Sequence, residues 1–142
     1  MRSVSHILER KGGRVVSLSK EQPVLEAVRL MAEHHIGAVL VMQGEDLIGI
    51  ASERDYARKV VLQGRSSSDT PVGAIMSAPV ICVTPADSVN DCMSIMTERH
   101  IRHLPVFEGK QVIGVISIGD LVKELIEEQK QEISYLQQYI AS

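Results

Sequence analysis

Gly49–Asp55 (GIASERD) and Gly114–Asp120 (GVISIGD) are two versions of one heptapeptide, and reading them as a pair decides the fold. They lie 65 residues apart, and the same offset aligns residues 19–56 with 84–121 without a gap. The alignment holds 11 identities in 38 positions, where ordinary composition gives roughly two or three. His35/His100, Gly44/Gly109, Gly49/Gly114, Ser52/Ser117 and Asp55/Asp120 are among them. The chain is an internal duplication, and a duplication fixes architecture before any motif is interpreted.

Working outward from each heptapeptide, the same elements recur. A β-branched run opens each copy (Val15 to Leu18; Val80 to Val83) and reads as a short strand. Apolar residues follow at helical spacing: Val24, Ala27, Val28 and Met31, then Val89, Cys92, Met93 and Met96. Two apolar runs around a glycine read as a hairpin, Ala38 to Met42 and Leu47 to Ala51 around Gly44, then Leu104 to Phe107 and Val112 to Ile116 around Gly109. A second helix starts at Ser52 or Ser117. The fold class is mixed α/β (α+β): two tandem β-α-β-β-α repeats with pseudo-twofold symmetry plus a long C-terminal helix. A lead-in recurs before each repeat, Val4 to Leu8 (VSHIL) matching Val72 to Met76 (VGAIM). The sequence divides into a first repeat with its lead-in (1–62), a linker (63–71), a second repeat (72–125) and a helical extension (126–142). A unit of about fifty residues buries too little surface to stand alone, so the copies are expected to pack together and to form two related clefts.

Composition removes several function classes. A net charge of −3 and a pI near 5.9 give no basic footprint for a nucleic-acid backbone, so no nucleic-acid partner is expected. No apolar run reaches the roughly 18 residues of a membrane span, and Met1 to Arg10 lacks a signal-peptide core, which reads as a cytoplasmic chain without membrane contact. Aromatic residues make up 3%, with Phe107 the sole Phe, so a ligand pocket must be aliphatic and main-chain lined. Cys82 and Cys92 lack redox spacing and read as buried thiols. His34, His35 and His100 fall at helix C-termini, where a donor suits the dipole, and no metal-binding spacing is present. No activated nucleophile, metal set or phosphate-binding Walker loop indicates an enzyme.

The two heptapeptides, with His100 to Val106 (HIRHLPV), match the G-h-h-[ST]-x-x-D signature of cystathionine β-synthase (CBS) type repeats. The chain resembles a stand-alone CBS pair, or Bateman module, over nearly all of Val4 to Val122. The resemblance implies a regulatory module that binds an adenine nucleotide between its halves, with the signature Asp taking ribose hydroxyls and the Ser lying near ribose or phosphate. An ionised carboxylate can accept from two vicinal hydroxyls, and helix N-terminal N–H groups favour an anion. One site is expected to combine Ile116, Ser117, Gly119 and Asp120 with Arg102 and His103 and with Ile36, Gly37 and Ala38. The other combines Ala51, Ser52, Arg54 and Asp55 with Ile101, Arg102, His103, Leu104 and Pro105. Arg102 suits a phosphate, which makes the first the expected AMP-like site. ADP, ATP, NAD and S-adenosylmethionine are the other candidates, and no catalytic cofactor or metal is expected.

S-x-x-D at a helix start also reads as a capping box that needs no ligand. Gly119, a poor helix former in a first turn, shifts the second copy toward binding. Beyond it, Val122, Ile126, Gln129, Ile133, Leu136 and Ile140 form a heptad seam, too short to be stable alone but able to pair across a homodimer or to pack on its own domain. The expected function is sensing of an adenine nucleotide to modulate an unidentified protein target. The alternative is a ligand-independent dimeric interaction scaffold.

Overall fold

The computed structural model describes residues 2–141. The elements run α1 (Val4–Lys11), β1 (Ser17–Leu18), α2 (Val24–His34), β2 (Ala38–Gln43), β3 (Asp46–Ser52), α3 (Glu53–Tyr56) with a π-helical turn Ala57–Val61, a 3-10 turn Val72–Ala74, α4 (Val89–Arg99), β4 (His103–Glu108), β5 (Gln111–Ser117) and α5 (Ile118–Ala141). The duplicated pattern is realised as a mixed α/β fold with a long terminal helix.

Residues 15–81 form one compact unit. β1 runs parallel to β2, which pairs antiparallel with β3. Gly44 closes the hairpin with φ +63, a left-handed conformation that glycine adopts without steric cost. Its core holds Leu18, Val24, Ala27, Met31, Val39, Val41, Ala51, Val60, Val72 and Ile75. The helical positions read from the sequence are on the buried side, because apolar residues three and four apart share one helix face.

In the second unit β4 and β5 repeat the hairpin, down to a bulge at Val106/Phe107 matching that at Val41/Met42. The strand expected over Val80 to Val83 does not recur. It shrinks to a single parallel bridge between Val83 and Val106. Pro105 explains the loss. Its counterpart in the first copy, Leu40, donates its N–H to the Val16 carbonyl, and proline has no N–H to donate. Both α2 and α4 end on a histidine in the left-handed region, His35 (φ 54) and His100 (φ 56), whose N–H groups reach the carbonyls of Met31 and Met96.

The lead-ins are exchanged. Residues up to Arg14 belong to the compact unit that continues from Cys82, whereas Val72 to Met76 belong with residues 15–81. The bonds are equivalent on both sides. The N–H groups of Val4 and Ser5 donate to Asp87 and Pro85 carbonyls, and those of Val72 and Gly73 donate to Gln22 and Lys20 carbonyls. The Arg2 carbonyl takes the first N–H of α4, from Val89, as the Thr70 carbonyl takes that of α2, from Val24. Val4 and Val72 are fully buried. The compact units are defined by packing and the division at 1–62, 63–71, 72–125 and 126–142 by sequence similarity, which marks where a copy begins and not which surface it covers. The segment 63–71 likewise does more than connect: its Thr70 and Ser67 carbonyls satisfy the start of α2, where Pro23 offers no side-chain cap.

The exchange also accounts for the first glycine of each heptapeptide. A Cβ on Gly49 would lie 2.8 Å from Met76 Cγ and 3.0 Å from Met76 Cβ, and one on Gly114 would lie 2.9 Å from Leu8 Cδ2. Met76 and Leu8 are equivalent lead-in residues, so these glycines admit packing side chains.

Candidate functional site

Each signature sits where a hairpin strand turns into a helix. In the unit of residues 15–81, Ser52 is the N-cap of α3. Its N–H donates to Asp55 Oδ2 at 2.9 Å, its Oγ donates to the same oxygen at 3.1 Å, and the Asp55 N–H donates to Ser52 Oγ at 3.2 Å. Lys59 Nζ lies 3.3 Å from Asp55 Oδ1 and donates to the Ile75 carbonyl at 2.9 Å. Ala38 pairs with Ser52 and Val39 with Ala51 across the sheet, while the Gly37 carbonyl accepts from the Glu53 N–H. Ile36, Gly37, Ala38, Ala51, Ser52, Arg54 and Asp55 are thus gathered at one end of the β2–β3 hairpin.

The second unit repeats this geometry with different chemistry. Ser117 N–H donates to Asp120 Oδ2 at 2.8 Å and the Asp120 N–H to Ser117 Oγ at 3.2 Å. His103 pairs with Ser117, Leu104 with Ile116 and Pro105 with Val115, and the Arg102 carbonyl accepts from the Ile118 N–H. Ile101, Arg102, His103, Leu104, Pro105, Ile116, Ser117, Gly119 and Asp120 therefore share one end of the β4–β5 hairpin. Both signatures form the reciprocal serine–aspartate contacts of a capping box.

Lys11, from the C-terminal end of α1, enters this half-site. Its Nζ lies 2.6 Å from Asp120 Oδ2 and donates to the Val115 carbonyl at 2.8 Å. Sequence reasoning missed it because no lysine occupies a matching place before the second copy. A signal was nevertheless present: the position of Lys59 in the first copy is Glu124 in the second, so the cation for Asp120 had to come from elsewhere. Glu124 itself is buried and pairs with Arg10 of α1 at 2.6 Å and with Arg2, just before α1, at 3.3 Å. These ion pairs fasten α1 to α5 on the side where Lys11 meets Asp120.

Burial pushes the Asp120 carboxyl upward, but hydrogen bonds from Lys11 and Ser117 and the Lys11 charge outweigh it and hold the group below its ordinary 3.8. Burial also lowers His103 from 6.5, helped by the Lys11 and Arg102 charges and opposed by Asp120. The half-site therefore presents an ionised carboxylate, a neutral imidazole, an ammonium and the exposed Arg102. A Cβ on Gly119 would meet only Ser117 Oγ, at 3.6 Å, so no packing contact demands glycine there. Among the described residues no three His, Cys, Asp or Glu side chains are grouped to hold a metal, and no helix is long and apolar enough to cross a membrane.

A family model, CBS domain, matches residues 4–62 and 72–127. The mitochondrial CBS domain-containing protein CBSX3 of Arabidopsis thaliana is 40% identical over 147 residues, covering 97% of this chain and 71% of that protein. A protein with CBS domains from Burkholderia ambifaria is 52% identical with a TM-score of 0.86, covering 89% of this chain and 96% of that one. The CBS domain pair of protein MJ0100, solved with 5′-methylthioadenosine and S-adenosyl-L-methionine, has the same fold at 20% identity and a TM-score of 0.79, covering 90% and 98%.

Proposed function

The chain belongs to the CBS-domain family as a pair of repeats, and from that premise we propose that it is a non-catalytic regulatory module that binds an adenine nucleotide, AMP in preference to ADP, ATP, NAD or S-adenosylmethionine, and modulates a protein target as a homodimer. The observation that carries the reading is the Asp120 carboxylate. It is held ionised, and its bonds from the Ser117 N–H and Lys11 Nζ both fall on Oδ2, which leaves Oδ1 to accept from a ribose hydroxyl. Gly119 beside it keeps the helix start open, and Arg102 supplies a guanidinium for phosphate. Ser52, Arg54 and Asp55 form the weaker half-site, since both Asp55 oxygens already have partners. The adenosine derivatives bound by the MJ0100 pair support the same ligand class.

The homodimer reading is supported by α5. Its heptad positions lie on the surface, with Ile126 at 46% and Leu136 at 50% exposed, which disfavours packing of the seam on its own domain. The mitochondrial designation of CBSX3 means that the cytoplasmic reading rests on the sequence alone. The second reading, a ligand-independent scaffold, is favoured by the capping boxes, which satisfy the helix starts without any ligand.

Isothermal titration with AMP, ADP, ATP, NAD and S-adenosylmethionine separates them. AMP is expected to bind tightest, and Asp120→Asn, which keeps an acceptor for the Ser117 N–H, is expected to weaken it about tenfold or more. Absence of heat or thermal stabilisation with every adenine compound leaves the scaffold. Turnover of a nucleotide that is abolished by Asp120→Asn overturns the non-catalytic reading.

A further inference from the structure

Lys11 does more than neutralise Asp120. An ammonium has three donors; two go to the Val115 carbonyl and Asp120 Oδ2, and among the described residues no acceptor is assigned to the third. The Asp120 bonds to Lys11 Nζ and the Ser117 N–H both fall on Oδ2, which leaves Oδ1 facing no assigned donor among the described residues. The side chains are 37% and 19% exposed, so both remaining valences are within reach of a ligand. One donor and one acceptor held side by side complement a vicinal diol, in which one hydroxyl donates to the carboxylate while its neighbour accepts from the ammonium.

A helix cap alone does not call for the lysine. Ser88 caps α4 by accepting from the Asp91 N–H, and among the described residues Asp91 carries no ion pair. The two signature aspartates, by contrast, each carry a lysine that also bonds a main-chain carbonyl: Lys59 on the Ile75 carbonyl, Lys11 on that of Val115. The lysines come from different elements, so the duplication did not simply copy one contact. Where the second copy has Glu124 in place of Lys59, α1 restores the cation.

We propose that Lys11 and Asp120 jointly read the vicinal hydroxyls of a ribose, making Lys11 a specificity-determining residue that selects ribonucleotides over their deoxy counterparts. The proposal rests on the adenine-nucleotide reading above. It is tested by calorimetry in an Asp55→Asn background, with AMP, 2′-deoxy-AMP and 3′-deoxy-AMP as ligands. The parent is expected to bind AMP about tenfold tighter than either deoxy compound, the worth of one hydrogen bond to a charged group. Lys11→Met is expected to weaken AMP about tenfold and to shrink at least one of the two ratios to about twofold, while loss of packing alone leaves the ratios unchanged. If Lys11→Met does not fold, Lys11→Gln keeps a donor for the Val115 carbonyl and reads the same ratios. Unchanged AMP affinity and unchanged ratios in the folded variant overturn the assignment while leaving the nucleotide reading intact. No AMP binding to the parent overturns both.

Discussion

Replacing Gly49 with alanine tests whether the first glycine of the signature serves packing. The new Cβ would lie 2.8 Å from Met76 Cγ and 3.0 Å from Met76 Cβ, and closer still to the sulfur. The sulfur can swing away, but the Met76 Cβ is fixed by its backbone, which is tied to the sheet through the bonds between Ser77 and Ile50. Overpacking of this kind costs about 1–3 kcal/mol, and relief of glycine's entropy in a strand offsets about 0.5–1 kcal/mol. A net loss of about 1–2 kcal/mol is expected in urea unfolding followed by circular dichroism. Met76→Ala alone empties the same space and costs about 1–2 kcal/mol, less than a fully buried methionine, because Met76 is half-buried. In the double variant the alanine at 49 occupies the vacated volume, so the two losses do not add and the cycle shows a coupling of about 1 kcal/mol or more. Gly114→Ala meets the tip of Leu8 at 2.9 Å and the Gly13 Cα only at ordinary contact distance, 3.6 Å, and is expected to cost less than Gly49→Ala. A stability within about 0.5 kcal/mol of the parent for Gly49→Ala, or additive losses in the double variant, refutes the packing account.

Other outcomes follow from the same geometry. Asp120 has a depressed folded value, so its contribution is complete above the ordinary 3.8 and is lost as pH falls through the lower folded value; the acid limb of unfolding is expected to flatten in Asp120→Asn. His103 is depressed from 6.5, so its neutral burial costs nothing above that pH and stability declines as pH falls from 6.5 toward the folded value; the imidazole resonances are expected to titrate below 6.5, and a midpoint at or above 6.5 contradicts its burial. Burial, aided by Asp87 and Asp91, pushes the Cys92 thiol up to about 11, and burial raises Cys82 as well. Native Cys92 at pH 8 is expected to resist iodoacetamide until urea exposes it; rapid labelling contradicts the buried-thiol reading. If the proposed homodimer pairs through α5, Ile126→Glu with Ile133→Glu, which places charges on its exposed seam, is expected to halve the sedimenting mass without lowering monomer helicity; an unchanged mass refutes pairing through that seam.

Much of the fold was legible because it depends on local pattern. The helical spacing from Val24 to Met31 and from Val89 to Met96, and the glycines at 44 and 109, read directly onto α2, α4 and the two hairpin turns. The serine–aspartate pairs were legible as both caps and candidate ligands, since one geometry serves both. What escaped the sequence depends on long-range burial. The exchange of Val4 and Val72 between units has no periodic signature, and Lys11 meets Asp120 across 109 residues. The missing strand was readable in principle, from proline at 105 opposite leucine at 40. The cationic side of the half-site was hinted at only by the inversion of charge from Lys59 to Glu124.

The exchanged lead-ins also impose an order on assembly. Residues 15–81 are continuous in sequence and close on themselves, whereas the other unit brackets them, beginning before residue 15 and resuming at 82. During synthesis α1 emerges before residues 15–81 yet has nothing to cover until α4, β5 and α5 exist, so the inner unit is free to fold first and α1 waits for the elements that follow residue 82. Closing that long loop adds little free energy, since its entropic cost grows only logarithmically, but it delays the event. A signature aspartate that draws its lysine from α1 thus becomes complete only when α1 has closed onto the strands and helices that follow residue 82.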